Sequence, residues 1–141
     1  MRWILILMFL LPAPMLRAQG APDAAAFAKI GSEKNAEAKK KLALGFERSF
    51  PTSKHLPEVY IQLSRTLVSL GDYPGAKQYA EKALGTVAKM KTQPAPLENT
   101  DEAWHQWLNT IDANAKSNLA WVNQMSAWQQ QQLRSTVLGH K

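Results

Sequence analysis

Between Pro57 and Leu84 apolar residues recur at helical spacing, break once, and recur again. Val59, Tyr60, Leu63, Leu67 and Leu70 fall three or four apart, which is one face of an α-helix. Gly71-Asp72 interrupts the pattern: glycine suits the left-handed close of a helix, and Pro74 suits the first turn of the next. In that next helix Ala76, Tyr79, Ala80, Ala83 and Leu84 share a face. Its three alanines carry little bulk, so the two helices are expected to close into a tight antiparallel hairpin.

The same reading extends to both sides. Upstream, Asp23–Ile30 is expected to form a short Ala-rich helix, N-capped by Asp23 and ended by Gly31-Ser32. Asn35 can cap a second helix from Ala36 to about Phe50, with Ala38, Leu42, Ala43, Phe46 and Phe50 on one broad face. Pro51 ends it, because the residue before proline avoids helical geometry. Downstream of Leu84 helical character continues to Met90 or Lys91, and Pro94 and Pro96 then stiffen an extended linker. Asn99 or Thr100 can cap a last helical segment, with Asp101 and Glu102 at the positive end of its dipole. There Trp104, Leu108, Ile111, Ala115, Leu119, Val122, Ser126, Gln129, Leu133 and Val137 step by three or four. A stripe of that length means one long helix or two with a concealed break, and Gly139 closes it.

The central hairpin resembles the tetratricopeptide repeat, a helix–turn–helix unit of about 34 residues. Tyr60 stands at the repeat's usual Trp or Tyr, Leu63-Ser64 at its Leu-Gly, and Leu67 at its Tyr. Gly71-Asp72-Tyr73 matches the turn, Ala76 the small residue and Ala83-Leu84 the closing pair. Ala80 at the usual aromatic and Ala88 at the usual terminal proline depart from it. The link Phe50-Pro51-Thr52-Ser53, followed by Pro57-Glu58 and Tyr60, is similar to inter-repeat links in exported tetratricopeptide proteins of the bacterial envelope. The resemblance implies an all-α, short superhelix of helical hairpins with a long Trp-rich C-terminal segment. Its parts would be a degenerate pair over 21–50, a clear repeat over 51–91, a linker over 92–100 and a capping segment over 101–141. Asn114 to Trp121 also resembles the first helix of a further repeat, with Leu119 and Trp121 as packing residues.

Composition sharpens the compartment and removes several chemistries. Residues 1–20 have a basic start at Arg2, an apolar run from Trp3 to Leu11 and a Pro-containing end in small residues, the layout of a secretory signal peptide. Cleavage would fall before Ala21 or after Ala18, and an uncleaved signal anchor is the other reading. The apolar run is about half of the roughly 20 residues needed to span a bilayer, so a stable membrane span after cleavage is not expected. An exported, periplasmic or secreted protein follows. Net charge is +6, of which Arg2 and Arg17 belong to that leader. The mild remainder, with Lys39, Lys40 and Lys41 read as a solvated face, points to no nucleic-acid partner. The chain has no cysteine, which excludes disulfides, thiolate metal sites, thiol catalysis and lipoprotein acylation.

No enzyme is expected. His55, His105 and His140 have neither helical metal-site spacing nor a carboxylate at motif distance, and no phosphate loop or nucleophile elbow is present. No cofactor or metal is called for. The expectation is a non-enzymatic protein–protein interaction module or scaffold. In the repeat family the first helix of each pair lines the concave groove, and by resemblance Glu58, Ile61, Gln62, Arg65 and Ser69 would face a protein or peptide partner. Arg65 has the fork of donors suited to a carboxylate, or it is a plain solvated residue. Trp104 lies on the stripe and reads as core, whereas Trp107, Trp121 and Trp128 lie off its centre and are the alternative interface. Rival assignments are a self-associating structural protein, or an accessory subunit of an envelope enzyme or transport complex.

Overall fold

The computed structural model describes residues 21–139, and the expected leader lies outside them. The described chain is all-helical, with five helices and no strand. They are α1 (Pro22–Ser32), α2 (Ala36–Ser49), α3 (Leu56–Ser69), α4 (Tyr73–Lys91) and α5 (Asp101–Leu138).

Local chemistry sets the boundaries. The Asn35 side chain accepts from the Ala38 N–H, Asp72 from Gly75 and Thr100 from Ala103, so α2, α4 and α5 each begin on a side-chain cap. Gly71 takes φ +78° between α3 and α4, where the Asp72 N–H reaches back to the Leu67 carbonyl. At α1 the expectation needs correction. Pro22 occupies the first helical position behind Ala21, and Asp23 lies inside the helix. The Asp23 carboxylate is used instead across the fold, accepting the Ser53 hydroxyl at 2.7 Å. Beside it the His55 ring stacks on Phe27, centroids 4.6 Å apart. These contacts fasten α1 to the α2–α3 link.

Two helical hairpins, α1–α2 and α3–α4, stack in sequence and α5 closes the stack against α3 and α4. Ala76, Ala80 and Ala83 are fully buried at the α3–α4 interface, opposite a face of α3 that buries Val59, Tyr60, Leu63 and Leu67. On the outer side Glu47 of α2 accepts the Tyr60 hydroxyl at 3.2 Å and pairs with Lys82 of α4. The Lys82 ammonium lies 4.9 Å above the Tyr60 ring, so one cluster joins three helices. Burial disfavours the charged Lys82, yet its pKa is raised, because Glu47 and Tyr60 hold the ammonium more strongly.

Helix α5 is unbroken over 38 residues, a rod of about 57 Å. It buries Trp104, Leu108, Ile111, Ala115, Asn118 and Val122, while Leu119 is half-buried. The periodic stripe then outruns the body beneath it. Leu133 and Val137, in register with the core residues, are 60% and 68% exposed. Sequence periodicity reports which residues share a face, and it carries no information on where the neighbouring helices stop.

Candidate functional site

Glu58, Ile61, Gln62, Arg65 and Ser69 follow a three-and-four spacing along α3 on the side away from the buried alanines of α4. They line two adjoining depressions. One, of about 310 Å³, lies between α3 and α5 and is bounded by Glu58, Ile61, Gln62 and Arg65 with Ile111 and Asn114. The other, of about 300 Å³, is bounded by Gln62, Arg65 and Ser69 with Lys34, Ala36 and Lys39 from the start of α2. Gln62 and Arg65 are common to both. Burial raises the pKa of Glu58 at one end of this surface.

Arg65 is exposed but not loose. Its Nε donates to Asn118 Oδ1 at 3.0 Å, and Asn118 Nδ2 donates to Ser64 Oγ at 2.6 Å. The Ser64 hydroxyl in turn donates to the Ile61 carbonyl at 2.9 Å. Asn118 and Ser64 are buried, so the three bonds form a relay running one way from surface to backbone in a low-dielectric setting. This leaves the four N–H donors of Nη1 and Nη2 available at the rim of both depressions. A guanidinium held by its Nε presents the planar edge that binds carboxylates in bidentate fashion. Lys34 and Lys39 put two further positive charges on the same rim.

Sequence reasoning missed Asn118. On the stripe it reads as a polar interruption between Ala115 and Val122, and its partner Ser64 reads as a small residue of the repeat pattern. A buried asparagine facing a buried serine 54 residues away has no signature in a single sequence.

The four tryptophans of α5 separate into two pairs. Trp104 is buried and stacks on half-buried Trp107 at 5.0 Å between centroids. Trp121 and Trp128 are 39% and 53% exposed, and with Gln124 and Met125 they border a shallow hollow of about 370 Å³. None of Trp107, Trp121 or Trp128 lines the depressions around Arg65. Trp121, which the repeat resemblance made a packing residue, is thus at the surface, and Trp107 is tied to the core pair.

A further hollow, of about 340 Å³, opens where the α2–α3 link meets the end of α4, between Pro51, Leu56, Tyr60, Met90, Pro94 and Trp104. Among the described residues no three His, Asp or Glu side chains gather at metal-binding distance. No described helix is long and apolar enough to cross a membrane. Comparison with protein-family models, with curated proteins and with solved structures finds no match.

Proposed function

We infer that the chain is an exported tetratricopeptide-type protein, non-enzymatic, which holds a protein or peptide partner and acts as a scaffold in the bacterial cell envelope. The observation that carries this reading is the Arg65–Asn118–Ser64 relay. A surface guanidinium fixed by a buried amide at the meeting of two depressions is organised for a ligand, whereas a solvated arginine needs no such support. With Lys34 and Lys39 on the same rim, the surface suits an acidic side chain or a terminal carboxylate of an extended segment. The half-buried Glu58 at the far end offers an acceptor for that segment's donors. The signal-like residues 1–20 support export, and the pattern from Tyr60 to Leu84 supports the repeat family.

The test is crosslinking pull-down of the protein from its native envelope, comparing wild type with Arg65→Ala, Lys39→Ala and Trp128→Ala. The groove reading expects Arg65→Ala to lose the recovered partner and Lys39→Ala to weaken it, with Trp128→Ala retaining it. An unchanged partner set with Arg65→Ala overturns the groove. N-terminal sequencing of the exported chain checks the leader separately, with Ala21 or Gln19 expected as the first residue.

A further inference from the structure

The hollow where the α2–α3 link, the end of α4 and the start of α5 meet shares no residue with the two depressions around Arg65. Its volume of about 340 Å³ lies at the small end of the roughly 300–1,000 Å³ usual for clefts that hold small molecules. Leu56, Tyr60, Met90, Pro94 and Trp104 give it apolar walls, and the Tyr60 hydroxyl is already committed to Glu47. Its charged lining residues are Lys54 and Lys89, and among the described residues no Asp or Glu borders it. The Lys54 ammonium is paired with Glu98 at 3.4 Å. Lys89 is exposed and makes no ion pair among the described residues, whereas Lys82 and Lys91 of the same helix are held by Glu47 and Asp112. Trp104 is 4% exposed, and its buried Nε1–H donates to no acceptor among the described residues. A buried indole N–H ordinarily has a partner, because its lost hydration is otherwise uncompensated.

We propose that this hollow binds a small organic carboxylate with a flat apolar body. The apolar walls select the body, whose removal from water supplies most of the affinity. Lys89 supplies the countercharge at the rim, where no acidic lining residue opposes an anion. An oxygen of the occupant supplies the acceptor that the Trp104 Nε1–H lacks. The three features together narrow the ligand class. An inorganic anion would leave the walls unused, a hydrocarbon would leave Lys89 and the indole donor unserved, and a cation would meet two lysines. Pro94 and Pro96 restrict the backbone of the linker on one side, which keeps the hollow largely formed before anything enters it. The site stands apart from the Arg65 groove, so the carboxylate ligand and the protein partner can each fail alone.

The test is nitrogen–proton correlation spectroscopy of the indole groups on the chain from Ala21 onward, titrated with phenylacetate to about 10 mM, a range that covers weak small-ligand binding. The Trp104 indole resonance, assigned through the backbone, is expected to shift and saturate, while those of exposed Trp121 and Trp128 stay in place. Acetate keeps the charge without the body and is expected to bind at least about tenfold more weakly. Phenylacetamide keeps the body without the charge, and about a fivefold loss is expected, the size of one exposed charge pair. Phenethylamine, of opposite charge, is expected not to bind. Lys89→Ala changes an exposed residue, so the fold is retained; it is expected to weaken phenylacetate about fivefold and leave phenylacetamide unchanged. A Trp104 resonance that stays in place with every probe overturns the proposal, since its N–H is then served by water alone. Equal binding of phenylacetate and phenylacetamide, or no effect of Lys89→Ala, overturns the assignment of a carboxylate.

Discussion

The Asn118 side-chain amide donates to the Ser64 hydroxyl at 2.6 Å in the seam between α5 and α3, with both residues buried. This bond does two jobs. It satisfies a polar group that would otherwise be stranded in the core, and it orients the carbonyl oxygen of Asn118 toward Arg65. Asn118→Leu removes both functions at nearly constant volume and leaves the Arg65 Nε without its acceptor. The expected loss is about 1–3 kcal/mol of stability by urea denaturation. Ser64→Ala should then cost less in the Asn118→Leu background than in wild type, with a coupling of about 1 kcal/mol. Strict additivity of the two substitutions would show that the pair does not act as a unit.

Two glycines predict opposite signs. Gly71 holds φ +78° at the α3–α4 turn, and a Cβ there would meet nothing within 4 Å. Any cost of Gly71→Ala is therefore backbone strain alone, about 1–2 kcal/mol of destabilisation. Gly85 lies within α4 with equally open surroundings. Gly85→Ala there is expected to stabilise by about 0.5–1 kcal/mol through helix propensity. Thermal unfolding of the two single variants tests both, and Tm shifts of the same sign would contradict the assignment.

The contrast between these sites explains what a single sequence conveys. Gly71-Asp72 between two periodic runs was readable as a helix close because the signal is local: one residue's φ and one side-chain cap. The five α3 positions around Arg65 follow from the resemblance to the repeat family, which says which helix face lines a groove; helical spacing adds only that they share one side. Asn118 was not, because its partners Ser64 and Arg65 are brought to it only by the packing of α5 on α3. Asp23 is of a capping residue type, but Pro22 beside it takes the first helical position and frees the carboxylate for Ser53. Leu133 and Val137 fit the core stripe as well as Leu108 does, yet only the length of α3 and α4 decides which of them finds a neighbour.

Acid is expected to loosen the α1 junction first. Burial lowers the pKa of His55, and nearby Asp23 only partly opposes this; the His55 Nδ1 is buried without a hydrogen-bond partner. A base whose folded pKa is depressed binds fewer protons in the folded state than in the unfolded one. Its contribution is thus present in full above the unfolded value of about 6.5 and is lost as pH falls through it. Asp23 acts in the same direction at lower pH. The Ser53 hydroxyl, its strongest influence, lowers its pKa, so stability present above about 3.8 is lost as pH falls through the folded value. Stability measured from pH 7.5 to 5 should therefore decline, and His55→Gln should flatten that decline while leaving the step below pH 4. A variant with an unchanged slope between pH 7 and 5 would assign the decline to other groups.

Truncation separates the two halves of α5. Removing residues 102–141 strips Trp104, Leu108, Ile111, Ala115 and Val122 from the faces of α3 and α4. Fully burying each large apolar side chain contributes about 1.5–3 kcal/mol, so the loss is comparable to the whole stability of an ordinary domain. The hairpin and its neighbour pair are then too few to cover each other, and cooperative unfolding should vanish. Removing only residues 127–141 takes away Trp128, Leu133 and Val137, each of which is more than half exposed. At dilute concentration that shorter chain should retain a cooperative transition with Tm lowered by about 3 °C or less, since helix ends fray without cost to the core. A large Tm loss on removing residues 127–141 in dilute solution would mean that the end of α5 folds back onto the body rather than projecting from it.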